Sequence, residues 1–216
     1  MYKPLEMSTK EKILQTALYL FNEHGTDAVT VRHIAKEMRI SHGNLCYHYA
    51  TTDIIVEKLY EQLVEKLTAA ILSVPLVKTD LQLVHDASLA TYRLFHAYRF
   101  LMLDFVRITR RISGIREHYR QLVGFRHQQF SLVFEALVAN GLLKPPVYPT
   151  QFEDYTTQLF VYGNFWLSEA EIVFDKTEEE KIKHFHWVAF SSLVPLLTER
   201  GWKEFQKASV KMSEDQ

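Results

Sequence analysis

Between His42 and His48 the chain sets out side chains that donate and accept hydrogen bonds: His42, Asn44, Tyr47 and His48, with Gly43 and Cys46 among them. An Asn side chain carries a donor beside an acceptor, the pair that matches the exposed edge of adenine. His42 has the reach for a base or a phosphate, and Gly43 leaves the backbone free to approach a groove wall. Thr30, Arg32 and Thr52 stand at or near expected helix N-termini, where backbone N–H groups and side-chain donors hold phosphates. Arg39 and Ser41 flank the run on its N-terminal side. Together these residue types suit the reading of double-stranded DNA, some contacting bases and others fixing register on the backbone.

Such residues work only if a rigid scaffold presents them, and the sequence around them has its pattern. Ile34, Ala35 and Met38 fall on one face of a helix opened by Thr30. Ile40 sits in a turn, and Leu45 and Tyr49 lie one helical step apart on a second helix capped by Ser41. This is the shape of a helix-turn-helix. Ahead of it, Ser8-Thr9-Lys10-Glu11 is a capping-box pattern for a first helix with Ile13, Leu14, Ala17, Leu18 and Phe21 on its apolar face and Gly25 as its stop. After it, Thr51 is placed to cap a long fourth helix through Ile54, Ile55, Leu59, Leu63, Leu67 and Ile71 to about Pro75. That helix begins with the reading unit and ends in a larger helical region, so it can act as a lever between them.

The run Gly43-Asn44-Leu45-Cys46-Tyr47-His48-Tyr49 resembles the Gly-x-Leu-Tyr-Tyr-His-Phe signature of the recognition helix in TetR-type (TetR/AcrR) transcriptional regulators. Thr51-Thr52-Asp53 is similar to the capped start of the next helix in that family. The resemblance is strong over roughly Thr9 to Tyr60 and architectural beyond. It implies that Tyr47 and His48 contact phosphates, that a larger helical domain senses a ligand and dimerises, and that the protein is a repressor released by a small-molecule effector. The sequence departs from the family pattern at Arg39, where a Gly commonly serves a positive φ, so Arg39 is expected to carry about 1 kcal/mol of strain. It departs also at Thr52, which replaces a phosphate-binding Lys, and at Cys46, which replaces a frequent Tyr.

The 216 residues, 47% of them hydrophobic, suffice for one small and one medium domain with a buried core. Seven Gly and six Pro are few for that length, and no strand alternation shows, so the fold class is all-α. The division expected is a three-helix DNA-binding domain over 1–53 and a helical effector-binding and dimerisation domain over 54–216. The net charge of -1 gives no global attraction to nucleic acid, and residues 1–60 balance seven Lys or Arg against seven Asp or Glu. Affinity must therefore come from helix N-termini, neutral donors and His charge, with a modest salt dependence. His33, His42 and His48 near the surface predict tighter DNA binding below about pH 6.5.

Further helices are expected from Thr79-Asp80-Leu81-Gln82 to Ile112 with a bend near residues 97–100, from Ile115 to Asn140, from Thr150, and from Thr177 to Gly201 with a kink at Pro195. A short helix over Trp202–Met212 should precede a frayed polar tail. Arg93 to Arg126 holds eight Arg against two acids, and residues 150–180 hold eight acids against one Lys. Pairing between the two is the plainer reading of the Arg run, and an anionic effector or an inter-domain contact is the other.

Aromatic residues of the larger domain could line a cavity for a partly apolar or aromatic effector, with Tyr92, Phe95, His96, Phe125, Phe130, Tyr162 and Trp166 as candidates and His96, Tyr162 or Asn164 as orienting groups. DNA sites for such modules are paired half-sites, which calls for a homodimer. Phe160, Gly163, Leu167 and Ala170 on one late helix, with Phe185, Ala189, Leu193 and Leu197 on the next, have the character of a helix-pair interface, of which only part need be intermolecular, and an intrachain core is the other reading. No cofactor, metal or catalytic residue is expected. His184 and His186 point to different helix faces, and no nucleophile elbow or phosphate loop occurs. Cys46 reads as a passive small residue rather than a redox switch. One cysteine and no signal or membrane stretch suit a cytoplasmic protein. The competing reading is a DNA-binding protein that senses nothing, its larger domain serving only to dimerise or to bind a protein partner.

Overall fold

The computed structural model describes residues 7–214, with side chains through Ser209. Those residues are all-α: α1 (Thr9–Ala28), α2 (Val31–Glu37), α3 (His42–His48), α4 (Thr52–Leu72), α5 (Leu81–Ala97), α6 (Arg99–Leu103), α7 (Phe105–Arg111), α8 (Ser113–Ala139), α9 (Gln151–Val173), α10 (Glu178–Ser191) and α11 (Glu199–Glu214), with a 3-10 turn at Val194–Leu196. They form two compact units. The first takes the chain up to Glu65 together with Tyr98–Glu117, and the second takes Lys66–Ala97 and the chain from His118 onward.

In the first unit α1 opens with a reciprocal cap: the Ser8 hydroxyl accepts from the Glu11 N–H, and the Glu11 carboxylate accepts from the Ser8 N–H at 2.7 Å. These bonds hold the Glu11 carboxyl below its ordinary range. Ile13, Ala17 and Phe21 of α1 join Ile34, Leu45, Ile55 and Leu59 in the core. Leu20 is buried there, whereas Leu18, expected on that face, is only half-buried. Gly25, at φ 75° and ψ 164°, leaves the helical path where the sequence pattern placed the stop, and a further short helical turn runs on to Ala28. The short helices α6 and α7 belong to this unit as well. Phe100 packs on Phe21 with ring centroids 5.1 Å apart, and its N–H donates to Asn22 Oδ1.

The expected bend near residues 97–100 falls at Tyr98, between α5 and α6. A second break at Asp104, not expected, makes α7 separate.

In the second unit the cap of α5 lies one residue later than the sequence pattern placed it. The Asp80 carboxylate accepts from the Leu83 N–H at 2.8 Å, while the Thr79 hydroxyl turns back to the Pro75 carbonyl. Thr150 makes no side-chain cap on α9, and its hydroxyl donates to Asp154 instead. The single kinked helix expected over 177–201 is in fact α10, the 3-10 turn and the start of α11. The missing N–H of Pro195 is accommodated in the first turn of the 3-10 segment rather than inside a long helix. Gly201 is inside α11 and stops nothing. A Cβ at that position would land on the Leu142 carbonyl, and the close approach also lets the Thr198 N–H donate to Leu142 O. The stop after α8 is Gly141, at φ 70°. Since α11 runs to Glu214, it outlasts the end expected at Met212, and the frayed tail at 215–216 lies outside the described residues.

Candidate nucleic-acid interface and internal cavity

The reading helix is set by backbone bonds before any side chain acts. The Thr30 hydroxyl accepts from the His33 N–H and opens α2. At its other end the Ile40 N–H donates to Ala35 O and the Arg39 N–H to Lys36 O, which forces Arg39 to φ 55°. That positive φ is the geometry of a helix C-cap ordinarily given to Gly. Ser41 then caps α3 by accepting from the Asn44 N–H at 3.1 Å. Leu45 and Tyr49 face the core, and Met38 and Ile40 are half-buried beside it.

The candidate contact residues fall outward as a set. Thr30, Arg32, Arg39, Ser41, His42, Gly43 and Asn44 are exposed, Tyr47 is 86% exposed, and Cys46, His48 and Thr52 are half-buried. The His33 ring is spent on local structure, with Nδ1 3.3 Å from the Thr30 nitrogen and 3.0 Å from the Ala28 carbonyl. Tyr47 meets His48 edge to face. The Cys46 Sγ lies 3.3 Å from His42 Nε2, a neighbour one helical turn away. A Cβ on Gly43 would meet nothing within 4 Å, so the chain's own packing does not require glycine there.

The Arg run divides between the units. Its first member behaves as the pairing reading expected: Arg93 bonds Glu179 at 2.6 Å, with His96 3.7 Å from Glu178 beside it. Arg99, Arg107 and Arg111 instead serve the first unit, pairing with Glu23, with Asp27 and Asp104, and with Asp27 and Asp53. Arg126 is buried and donates to Thr68 Oγ1 and Gln129 Oε1, both at 2.7 Å.

The second unit holds a partly open cavity of about 210 Å³ among the end of α4, α5, α8, α9 and α10. Of the aromatic candidates, Tyr92, Phe95 and Phe130 line it. The other four lie elsewhere. Phe125 is half-exposed, His96 faces Glu178, Trp166 is packed between Tyr92 and Phe185, and Tyr162 lies tilted against Phe185. Asn164 lines the wall and donates to the Tyr119 hydroxyl.

Sequence reasoning missed Arg126, Ser88 and His186 as wall residues. The signal existed for the first: Arg126, Phe130, Val133, Phe134 and Leu137 recur at helical spacing on one face of α8, with Arg126 the sole charge in the stripe. His186 is fully buried, accepting or donating through Nε2 to the Ser88 hydroxyl at 2.7 Å, whereas His184 is exposed. Burial, with His85 and Arg93 adding to it, pushes His186 down to about 3. Burial also raises Tyr92 strongly and pushes Tyr155 up to about 12.

The residues expected between protomers are used within one chain. Gly163, Leu167, Ala170, Phe185, Ala189, Leu193 and Leu197 are all buried, and Phe160 is half-buried in the cavity wall. Their apolar spacing marked the inner face of each helix, which periodicity alone cannot distinguish from an interface.

A helix-turn-helix unit with an outward polar reading helix, joined to a helical unit holding a cavity, defines a class of DNA-binding regulator. The family comparison agrees: the TetR model described as "Bacterial transcriptional repressor" matches residues 59–205, and the "Bacterial regulatory proteins, tetR family" model matches residues 13–59. The chain belongs to the TetR family and is a DNA-binding transcriptional regulator. Over 89 residues it is 30% identical to the probable HTH-type transcriptional regulator YttP of Bacillus subtilis, a match covering 38% of this chain and 43% of YttP.

Solved structures share the fold. A TetR-family regulator from Marinobacter aquaeolei superposes with a TM-score of 0.82 at 20% identity, covering 94% of this chain and 98% of that one. One from Haloarcula marismortui gives 0.65 at 19% identity, covering 88% and 98%. Among the described residues no helix is long and apolar enough to cross a membrane.

Proposed function

We propose that the protein acts as a homodimeric repressor, released from its operator when a small apolar molecule fills the cavity of the second unit. The observation that carries the reading is the outward set on α3, with Asn44 exposed between a capped N-terminus and Tyr47. Asn44 reads a base, while Thr30, Arg32, Tyr47, His48 and Thr52 hold the phosphate backbone. The apolar cavity supports sensing over a domain that only dimerises, because such a domain has no need of internal space.

Dimerisation is assigned to a different face from the one the sequence pattern suggested. Val161, Phe165 and Ile172 recur along the outer side of α9 and are 58%, 49% and 80% exposed, with Val188 exposed on α10. Two copies of this pair of helices would form a four-helix bundle that covers the stripe. Effector binding then acts through a shift between conformations whose two reading helices do or do not match one face of DNA. The helix α4 contributes to both units and is the element suited to carry that shift.

Selection of binding sites from random DNA with the purified protein tests the reading directly. Paired half-sites are the expected product, and Asn44→Ala should lose discrimination between the selected site and a scrambled one while retaining non-specific binding. Unchanged discrimination would remove Asn44 from base reading. A protein that stays monomeric in solution and on DNA would remove the dimer.

A further inference from the structure

The polar side chains in the cavity wall are bonded to protein, with one exception. The Ser88 hydroxyl donates to the His85 carbonyl and meets His186 Nε2, and the Thr91 hydroxyl donates to the Ala87 carbonyl. Tyr155 bonds Ser192, whose own proton goes to the Ala189 carbonyl, and Asn164 donates to the Tyr119 hydroxyl. Tyr92 is 6% exposed and borders the cavity, yet its hydroxyl has no hydrogen-bond partner among the described residues. Nor is it sealed in protein as the Tyr162 hydroxyl is. Burial holds the proton on Tyr92, so the group stands in an apolar space as a donor without an acceptor.

The wall does not suit a charged occupant of either sign. Among the described residues that line the cavity there is no Asp or Glu to receive a cation. Arg126 is in the wall, but its guanidinium is held by Thr68 and Gln129, neither of which lines the cavity. His186 is neutral at ordinary pH. An ion entering would lose its hydration with no matching charge on offer, a cost that a neutral molecule avoids. The rings of Phe95, Phe130, Phe134, Phe160 and Phe190 also stand around the space and suit a flat ring in offset or edge contact. The volume of about 210 Å³ exceeds the ~150 Å³ of a cavity that takes benzene, so it has room for roughly ten non-hydrogen atoms.

We infer that the effector is an uncharged carbonyl compound with an apolar, ring-bearing body, its carbonyl oxygen accepting a hydrogen bond from Tyr92. The inference rests on the proposed sensing role of the cavity and adds the chemical class of the ligand and the residue that selects it. A carbonyl suits the wall better than a hydroxyl, because it brings an acceptor for Tyr92 and no donor that would need a partner of its own.

Calorimetric titration of the full-length protein at neutral pH with propiophenone, sec-butylbenzene and phenylacetate tests this. The three are of similar size, and sec-butylbenzene carries a methyl group where propiophenone has its oxygen. Tyr92→Phe should weaken propiophenone about fivefold, the worth of one neutral hydrogen bond, and leave sec-butylbenzene unchanged. Phenylacetate should bind the unaltered protein at least about tenfold more weakly than propiophenone. The carbonyl stretching band of bound propiophenone should move to lower wavenumber in the unaltered protein and return in Tyr92→Phe, which a merely structural role of Tyr92 would not produce. If propiophenone binds both proteins equally, or its band does not move, the carbonyl assignment is overturned while the cavity still takes apolar molecules. If phenylacetate matches propiophenone, the requirement for a neutral ligand is overturned. If none of the three binds, the sensing role itself falls. The band position and the phenylacetate comparison are read in the unaltered protein and stand even if Tyr92→Phe does not fold.

Discussion

Arg111 bridges Asp27 at the end of α1 and Asp53 in the first turn of α4, with Nη1 3.3 Å from the former and Nε 3.2 Å from the latter. With Arg107, which pairs with Asp27 and Asp104, it makes the α6–α7 segment a brace for the helices on either side of the reading unit. The Asp53 carboxylate gains twice, since it also faces the positive end of α4. Both partners are partly exposed, so solvent and salt screen the pair and its worth to stability is below about 1 kcal/mol. Asp53→Asn should therefore lower the urea midpoint only slightly, by an amount that shrinks as salt is added. A salt-independent loss of more than about 2 kcal/mol would mean the pair is buried in solution.

Gly43 offers a sharper separation of folding from reading. Nothing in the chain crowds its missing side chain, and its place in α3 is helical rather than left-handed. Gly43→Ala should thus raise thermal stability, by up to about 1 kcal/mol from helix propensity. The same methyl group would stand between the helix and the groove wall, so DNA affinity should fall. Equal affinity of the two proteins for the selected operator in fluorescence anisotropy would show that α3 does not approach DNA through this position.

Arg39 presents the opposite balance. Its φ of 55° is a conformation in which an L side chain costs about 1 kcal/mol, and the exposed side chain has no buried packing to offset that. Arg39→Gly should stabilise the protein by roughly that amount in denaturant titration while weakening DNA binding and reducing its salt slope, if the guanidinium holds a phosphate. A destabilised Arg39→Gly would place the strain elsewhere.

These positions show what the sequence makes legible. Ser8, Thr30, Ser41, Thr51 and Thr177 announce their helices because a cap is a local bond between residues three apart, and all five accept from the expected backbone N–H. The α1 partners of Arg99, Arg107 and Arg111 were not legible, because each lies about eighty residues away and charge composition does not specify which acid is reached. The burial of the α9 and α10 residues expected between protomers was not legible for a similar reason. Both faces of α9 carry large apolar residues, so burial of Leu167 against exposure of Phe165 is decided by the whole unit. Gly201 reads as a helix stop in sequence, and only the approach of the Leu142 carbonyl reveals why glycine is needed.

His186 gives the second unit a pH dependence whose direction is set by its surroundings. It is fully buried, beside His85 in edge-to-face contact at 4.8 Å, with Arg93 adding positive charge nearby and Asp86 opposing it weakly. Its folded-state value of about 3 lies below the ordinary histidine value of 6.5 reached on unfolding. Between these values the unfolded chain binds a proton that the folded chain does not, so stability is full above pH 6.5 and falls as the pH is lowered toward 3. This single group should contribute a slope of up to about 1.4 kcal/mol per pH unit within the window. Replacing it with an uncharged residue of similar shape, His186→Phe, breaks the bond to Ser88 but should flatten the slope measured by denaturant titration from pH 7 to pH 4. If the two proteins lose stability in parallel over that range, His186 is already able to take its proton in the folded state, and the buried contact with Ser88 is looser than its geometry indicates.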